Sequence, residues 1–266
     1  VPPRAGATFY DRAVSEQDDR AESERDGRPT GDDGVRRVLA VFAHPDDIDF
    51  GAAGTVAAWT DAGIEVAYVL VTRGDAGGFD DTPRAEMPKI REAEQKAAAA
   101  AVGVHEVHFL DGYPDGAVYV THQLRRDITR QIRRFRPDRV LTNSPVRSWS
   151  MLGGPSHPDH QAVGQATTYA VYPDARNPFA HPELLAEEGL AAWTVPEVWY
   201  SGVPEPDHFV DITDTFDRKI AALRSHASQL PDPDAIVGGL RERFGAQAER
   251  AGMSPGRIAE AFRIAK

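Results

Sequence analysis

The chain has 266 residues, no cysteine, and a formal charge of −11 from 30 Lys/Arg and 41 Asp/Glu. That length suits one large α/β domain or two small ones, and the negative balance argues against a nucleic-acid backbone or an anionic membrane as partner. The lack of cysteine excludes disulfides, iron–sulfur clusters and thiolate-bound zinc, so any metal must be held by His, Asp or Glu.

Residues 1–34 are rich in Asp, Glu, Arg, Gly and Pro and lack apolar periodicity, so they are expected to form a flexible or surface-draped arm. A single domain is expected over 35–266. Its first element is Val38 to Phe42, an unbroken apolar run too short for a helix and suited to a buried parallel strand. Pro45 stops it, since proline cannot donate to a sheet ladder. Ile48 to Gly63 is expected to be helical from Thr55, and Ile64 to Thr72 to form a second strand. The alanine-rich stretch Pro83 to Val102 is a strong helix former. Glu106 to Leu110 is the third strand. Thr121 caps a basic helix ending at Phe135, and Arg139 to Thr142 is the fourth strand.

Beyond it, a helix is expected from about Pro158 to Tyr172, then an irregular stretch over 173–192 and strands at Val195 to Ser201 and His208 to Ile212. The spacing of Phe216, Ile220 and Leu223 predicts a helix within Asp211 to Gln229. Asp234 to Lys266 is read as two short amphipathic helices. The alternation predicts an α/β fold: a Rossmann-like, mostly parallel sheet flanked by helices, with a small C-terminal helical/strand extension. No stretch has the roughly 18 apolar residues of a membrane span or a signal-peptide core, which favours a cytoplasmic protein.

The chemistry gathers at His44-Pro45-Asp46-Asp47 and at His157-Pro158-Asp159-His160. Each His-Pro-Asp unit sits at an element boundary, and the first lies at the carboxyl end of a strand, where open α/β sheets bind ligands. His44, Asp47 and His160 together give two imidazoles, one carboxylate and an open position, the ligand count of a catalytic zinc. Ferrous iron, manganese or nickel suit the same donors. Asp46 is placed to take a proton from an activated water or, alternatively, to orient His44. His157 is placed to protonate a leaving amine or bind an oxyanion, with Asp159 orienting it; both could instead only cap the helix. His105, His108, His122, His181 and His208 are read as ordinary surface or core residues.

These residues resemble the LmbE-like (PIG-L) deacetylase family. The resemblance covers Ala43 to Gly51 with Gly54 and Thr55, Thr72 to Asp75, Arg91 with Glu94, the 157–160 block, and Ser225 to Gln229. It implies a Rossmann-like enzyme with one Zn2+ per chain that removes an N-acyl group, usually acetyl, from a small-molecule amino sugar or glycoconjugate. It further implies His44, Asp47 and His160 as zinc ligands, Asp46 as general base, His157 with Asp159 as the oxyanion or acid pair, and Arg73 and Arg91 as substrate contacts, with a salt bridge to a nearby acid as the alternative for Arg91. A homo-oligomer fits this reading; a nucleic acid or membrane partner does not. Two positions depart from the family: Pro155 stands where some members carry an oxyanion-binding tyrosine, and Asp49 where glutamate is common. The rival readings are a thiol-conjugate amidase of the same family, a non-catalytic sugar-binding module, and a ferrous oxygenase, which the α/β alternation disfavours.

Overall fold

A computed structural model describes residues 32, 34–78, 81–149, 153–230 and 232–266. Seven strands form one sheet in the order β3-β2-β1-β4-β5-β7-β6. They are β1 (Arg37–Phe42), β2 (Glu65–Leu70), β3 (Glu106–Phe109), β4 (Arg139–Asn143), β5 (Glu197–Ser201), β6 (His208–Asp211) and β7 (Ala259–Ala265). The first five pair in parallel, and β7 pairs antiparallel with both β5 and β6. Among the described residues eight α-helices flank it: α1 (Asp47–Gly51), α2 (Ala53–Asp61), α3 (Met87–Ala101), α4 (His122–Phe135), α5 (Pro158–Tyr169), α6 (Pro182–Ala186), α7 (Phe216–Arg224) and α8 (Pro233–Arg250).

The alternation of side chains along β1 divides the core. Val38, Ala40 and Phe42 face one layer with Val56, Trp59, Ala98, Phe216 and Leu223. Leu39, Val41 and Ala43 face the other with Leu124, Ile128, Ile132, Val163 and Ala166. Both faces of β1 are therefore buried, which is why its sequence reads as a continuous apolar run. The chain winds outward from β1 to β2 and β3, then returns to place β4 on β1's other side. The carboxyl ends of β1 and β4 thus flank the switch point at which doubly wound sheets open a crevice. Asn143 spans it, its Oδ1 accepting from the Ala43 amide at 3.0 Å. Gly164 lets α5 lie against the end of β4: a Cβ there would run into the carbonyl of Asn143.

The second helix expected within Asp234 to Lys266 is a correction. Residues 233–250 form one helix, and 259–265 form strand β7. Ile258, Ala259, Phe262 and Ala265 have helical spacing, while Ile258, Glu260, Phe262 and Ile264 alternate as a strand does. With both periods met over so few residues, the free edges of β5 and β6 decide. The expected N-terminal arm lies outside the described residues except at Asp32 and Gly34. Asp32 is fully buried; it accepts from Trp59 Nε1 at 3.0 Å and pairs with Arg139.

Candidate metal centre

β1 delivers His44 into a turn in which the Asp47 amide donates to the His44 carbonyl. The chain can enter α1 only because Asp46 adopts φ +90°, a left-handed conformation unusual for a residue with a side chain. Two groups of α3 hold it there. Gln95 Oε1 accepts from the Asp46 amide at 2.8 Å, and Arg91 Nη2 donates to the Pro45 carbonyl at 2.6 Å and to Asp46 Oδ2 at 3.0 Å. The same guanidinium donates to the Gly74 carbonyl, and Gly74, at φ +66°, has no room for a Cβ beside it. Gln95 also donates to Asp49, which receives His226 Nε2 at 2.8 Å.

The second block reaches the same place from α5. His44 Nδ1 lies 3.1 Å from His160 Nε2 and 3.4 Å from Asp47 Oδ2; His160 Nε2 lies 2.9 Å from Asp47 Oδ1. Donors around a tetrahedral zinc stand about 3.3 Å apart, given zinc–nitrogen bonds of about 2.0–2.1 Å. The spacing and the chemistry of this trio therefore fit a divalent cation. Two further groupings share the spot: the ring nitrogens of His44, His157 and His160, and those of His44 with the carboxylates of Asp115 and Asp159, lie within 4.8 Å of one another. His44 Nε2 is held by Asp115 at 3.0 Å and Asp159 at 3.2 Å. A carboxylate on the far nitrogen is the usual support of a metal-binding imidazole.

The electrostatics separate the carboxylates. Burial pushes the Asp46 carboxyl up, the charge of Asp47 adds to it, and Arg91 pulls it back, leaving it at about 6. Burial acts the same way on Asp47, but the imidazoles of His160 and His44 outweigh it and hold it well below the usual carboxylate range. Asp159 is also lowered: against burial it has His44 and the amides of Gly116 and Val118, which donate to it at 2.8 and 3.1 Å. His157 is lowered by burial and by the neighbouring His44 and His160. Its Nδ1 accepts from the Asp159 amide at 3.2 Å, so the neutral ring carries its proton on Nε2.

The structure brings His44, Asp46, Asp47, His157, Asp159 and His160 together, corrects two expected partnerships and decides a third. The Asp159 carboxylate meets His44 rather than His157, because the 116–118 loop offers it two amides on that side. Arg91 is 4% exposed, and its Nη atoms donate to Pro45, Asp46 and Gly74; of its two expected roles the structure shows the salt bridge to a nearby acid. Arg73 is occupied by Glu92, Asp111 and the Leu110 carbonyl, not by the residues of the donor cluster. Asp115, Gln95 and Asn143 belong to the site although the sequence does not single them out. Asp115 sits in a Pro-Asp-Gly turn whose composition alone explains it. The signal that could have found it is the position of its loop, directly after the third strand at the sheet's carboxyl edge.

Asp46, Asp47 and His160 form part of the wall of a cavity of about 540 Å³ that continues past Phe50, Ser144, Pro155 and Ser201 to Phe244 and Gln247 of α8.

A profile of the family described as PIG-L: GlcNAc-PI de-N-acetylase matches residues 39–171. The diacetylchitobiose deacetylase of Thermococcus kodakarensis is 35% identical over 203 residues, covering 74% of this chain and 72% of that protein. A probable N-acetyl-alpha-D-glucosaminyl L-malate deacetylase 2 of Bacillus cereus is 31% identical, covering 73% and 84%. The solved N,N'-diacetylchitobiose deacetylase of Pyrococcus horikoshii superposes with a TM-score of 0.80 at 30% identity, covering 88% of this chain and 85% of that one. The family match spans both histidine blocks, and the chain belongs to the PIG-L (LmbE-like) family.

Proposed function

We propose that the chain is a metal-dependent amide hydrolase that removes the N-acetyl group of an amino sugar or glycoconjugate, using one zinc ion held by His44, Asp47 and His160. The observation that carries the reading is the convergence of these donors with Asp46 beside them. Relatives that act on diacetylchitobiose and N-acetylglucosaminyl malate support the substrate class; they do not favour the thiol-conjugate amidase.

His44, Asp47 and His160 would hold the zinc ion, which would supply a Lewis acid and lower the pKa of water to about 7. Asp46 takes the proton as the water oxygen bonds to the acetyl carbon. A carboxyl near 6 suits a general base, since it is ionised at neutral pH yet basic enough to hold a proton. Arg91 and Gln95 keep it aimed, so no reorganisation is needed at the moment of attack. His157, neutral with Nε2–H free of its Asp159 bond, donates to the oxygen that gains charge; Pro155 offers no hydroxyl for this. Asp46 returns that proton to the nitrogen as the carbon–nitrogen bond breaks, leaving acetic acid and the amine, which at neutral pH become acetate and the protonated amine by transfer of the acid's proton. Asp46 beside the donor trio weighs against a module that only binds sugar.

The test is to incubate zinc-loaded protein with a panel of N-acetylated amino sugars and glycosides and to measure acetate and free amine. One mole of each per turnover is expected. Zinc-replete protein that releases neither from any member of the panel overturns the reading.

A further inference from the structure

A line of buried side chains runs behind the Asp46 turn. His226, just past the end of α7, donates from Nε2 to Asp49 Oδ2 at 2.8 Å; the same oxygen accepts from Gln95 Nε2 at 2.9 Å, and Gln95 Oε1 accepts from the Asp46 amide at 2.8 Å. His226, Asp49 and Gln95 are all fully buried, and none of them lines the cavity. The bond to Asp49 is the only hydrogen bond of the His226 ring among the described residues, since Nδ1 is buried without a partner. An unpaired buried nitrogen is costly, and an apolar side chain of similar size would avoid that cost. What the ring adds that an apolar residue does not is a donor aimed at Asp49. The same helix grips Asp49 a second time: Lys219 Nζ, fully buried, donates to the carbonyls of Asp49 and Phe50 at 2.8 Å each and to Glu260 Oε1 at 2.7 Å. Lys219 thus fixes the backbone of Asp49, and His226 its carboxylate.

This grip decides which way the Gln95 amide faces. The terminal torsion of glutamine is broad, so its two ends are told apart only by their partners. Turned the other way, Nε2 would meet the Asp46 amide donor to donor, and Oε1 would face the Asp49 carboxylate. Asp49, held as an acceptor by His226, excludes that arrangement. Asp46 in turn needs the acceptor, because its φ of +90° persists only where the surroundings over-determine it. From this arrangement we infer that His226 is a positioning residue for proton transfer: through Asp49 and Gln95 it holds the Asp46 backbone in the turn that aims the carboxylate beside the donor trio. The effect on rate rests on the deacetylase reading; the effect on the Asp46 backbone does not.

The test reads both effects. In zinc-loaded His226→Leu, kcat should fall about 10- to 100-fold, the range for groups that support a site from behind, with KM and zinc content near those of the wild type. Hydrogen exchange at the Asp46 amide, followed by NMR, should quicken about tenfold or more, the loss of one hydrogen bond, while the amides of β1 and β2 keep their rates. His226→Gln, whose amide can still donate to Asp49, should restore most of both; His226→Asn, with a shorter reach, should not. That pair carries the test if the leucine variant does not fold. In Gln95→Leu, adding His226→Leu should cost little further kcat, because the line is already cut. A loss that multiplies in full on the Gln95→Leu background, or exchange that quickens throughout the sheet, makes the ring merely structural and overturns the inference. Unchanged kcat in His226→Leu overturns it and leaves the deacetylase standing. Faster exchange confined to the Asp46 turn, in a protein whose wild type turns over no substrate, supports the inference and overturns the deacetylase.

Discussion

The two His-Pro-Asp units are identical in sequence, yet their aspartates are put to opposite uses. Asp46 stands at φ +90° between a strand and a helix, with its carboxyl raised to about 6 and held by Arg91. Asp159 lies in the first turn of α5, where two loop amides and His44 lower it and fix it in place. The tripeptide therefore carries no role of its own. Backbone conformation and the surrounding donors decide whether its carboxylate is raised beside a single guanidinium or lowered and fixed by two amides and an imidazole.

The comparison is broken most completely at the donor trio. His160→Ala should lose bound zinc and all measurable turnover, since three donors leave no spare; Asp47→Ala should do the same. Metal analysis beside a turnover assay checks both, and wild-type zinc content with wild-type turnover in either variant would remove that residue from the ligand set. Asp46→Asn should keep zinc and lose about 10²–10⁴ in kcat, the usual cost of a general base. Loss of zinc from Asp46→Asn with retention in Asp47→Ala would exchange the two roles.

Asp159→Asn tests the anchor. Zinc affinity should fall about 10- to 100-fold, the range for groups that support a ligating imidazole, with a smaller change in kcat at saturating metal. A fall in kcat as large as that of Asp46→Asn, at full zinc occupancy, would make the two aspartates functional equals. Arg91→Gln sharpens the contrast from the other side. Arg91 lowers the Asp46 pKa, so its loss should move the acidic limb of kcat/KM to higher pH, because the base must be ionised to act. A pH–rate profile decides, and an unmoved limb would separate Arg91 from Asp46.

The smallest effect concerns the ring behind the site. His226 is buried on Asp49; burial lowers its pKa, but the bond to Asp49 and that carboxylate's charge outweigh burial and raise it. A raised folded-state pKa contributes stability that is complete below about 6.5 and is lost as pH rises through the folded value. The melting-temperature gap between wild type and His226→Gln should therefore narrow as pH rises above about 6.5, and a gap that widens would contradict it.

The parts of this molecule that are legible in the sequence are those whose signal is local. β1 announces itself because both its faces are buried, and the two blocks because proline and histidine recur at element boundaries. What escapes depends on distant partners. Gln95 reaches Asp46, 49 positions away, and Asp115 reaches His44 from a turn that composition already explains. Arg91 is visible as a site residue but its target is not, since a carbonyl acceptor such as that of Pro45 leaves no trace in a sequence. β7 fails for another reason: its residues satisfy two periodicities, and only the neighbouring strands choose between them.

The placement of β7 has a consequence for how the chain is made. Among the described residues β6 pairs with β7 alone, and β7 is the last element in chain order. On a ribosome, β6 must wait through the synthesis of α7 and α8 with an open edge, the state in which strands recruit neighbouring chains. Glu260 of β7 then enters as a latch, binding the Gly54 and Thr55 amides of α2 and the buried Lys219 of α7. A segment that emerges only after α8 thus locks together elements translated long before it.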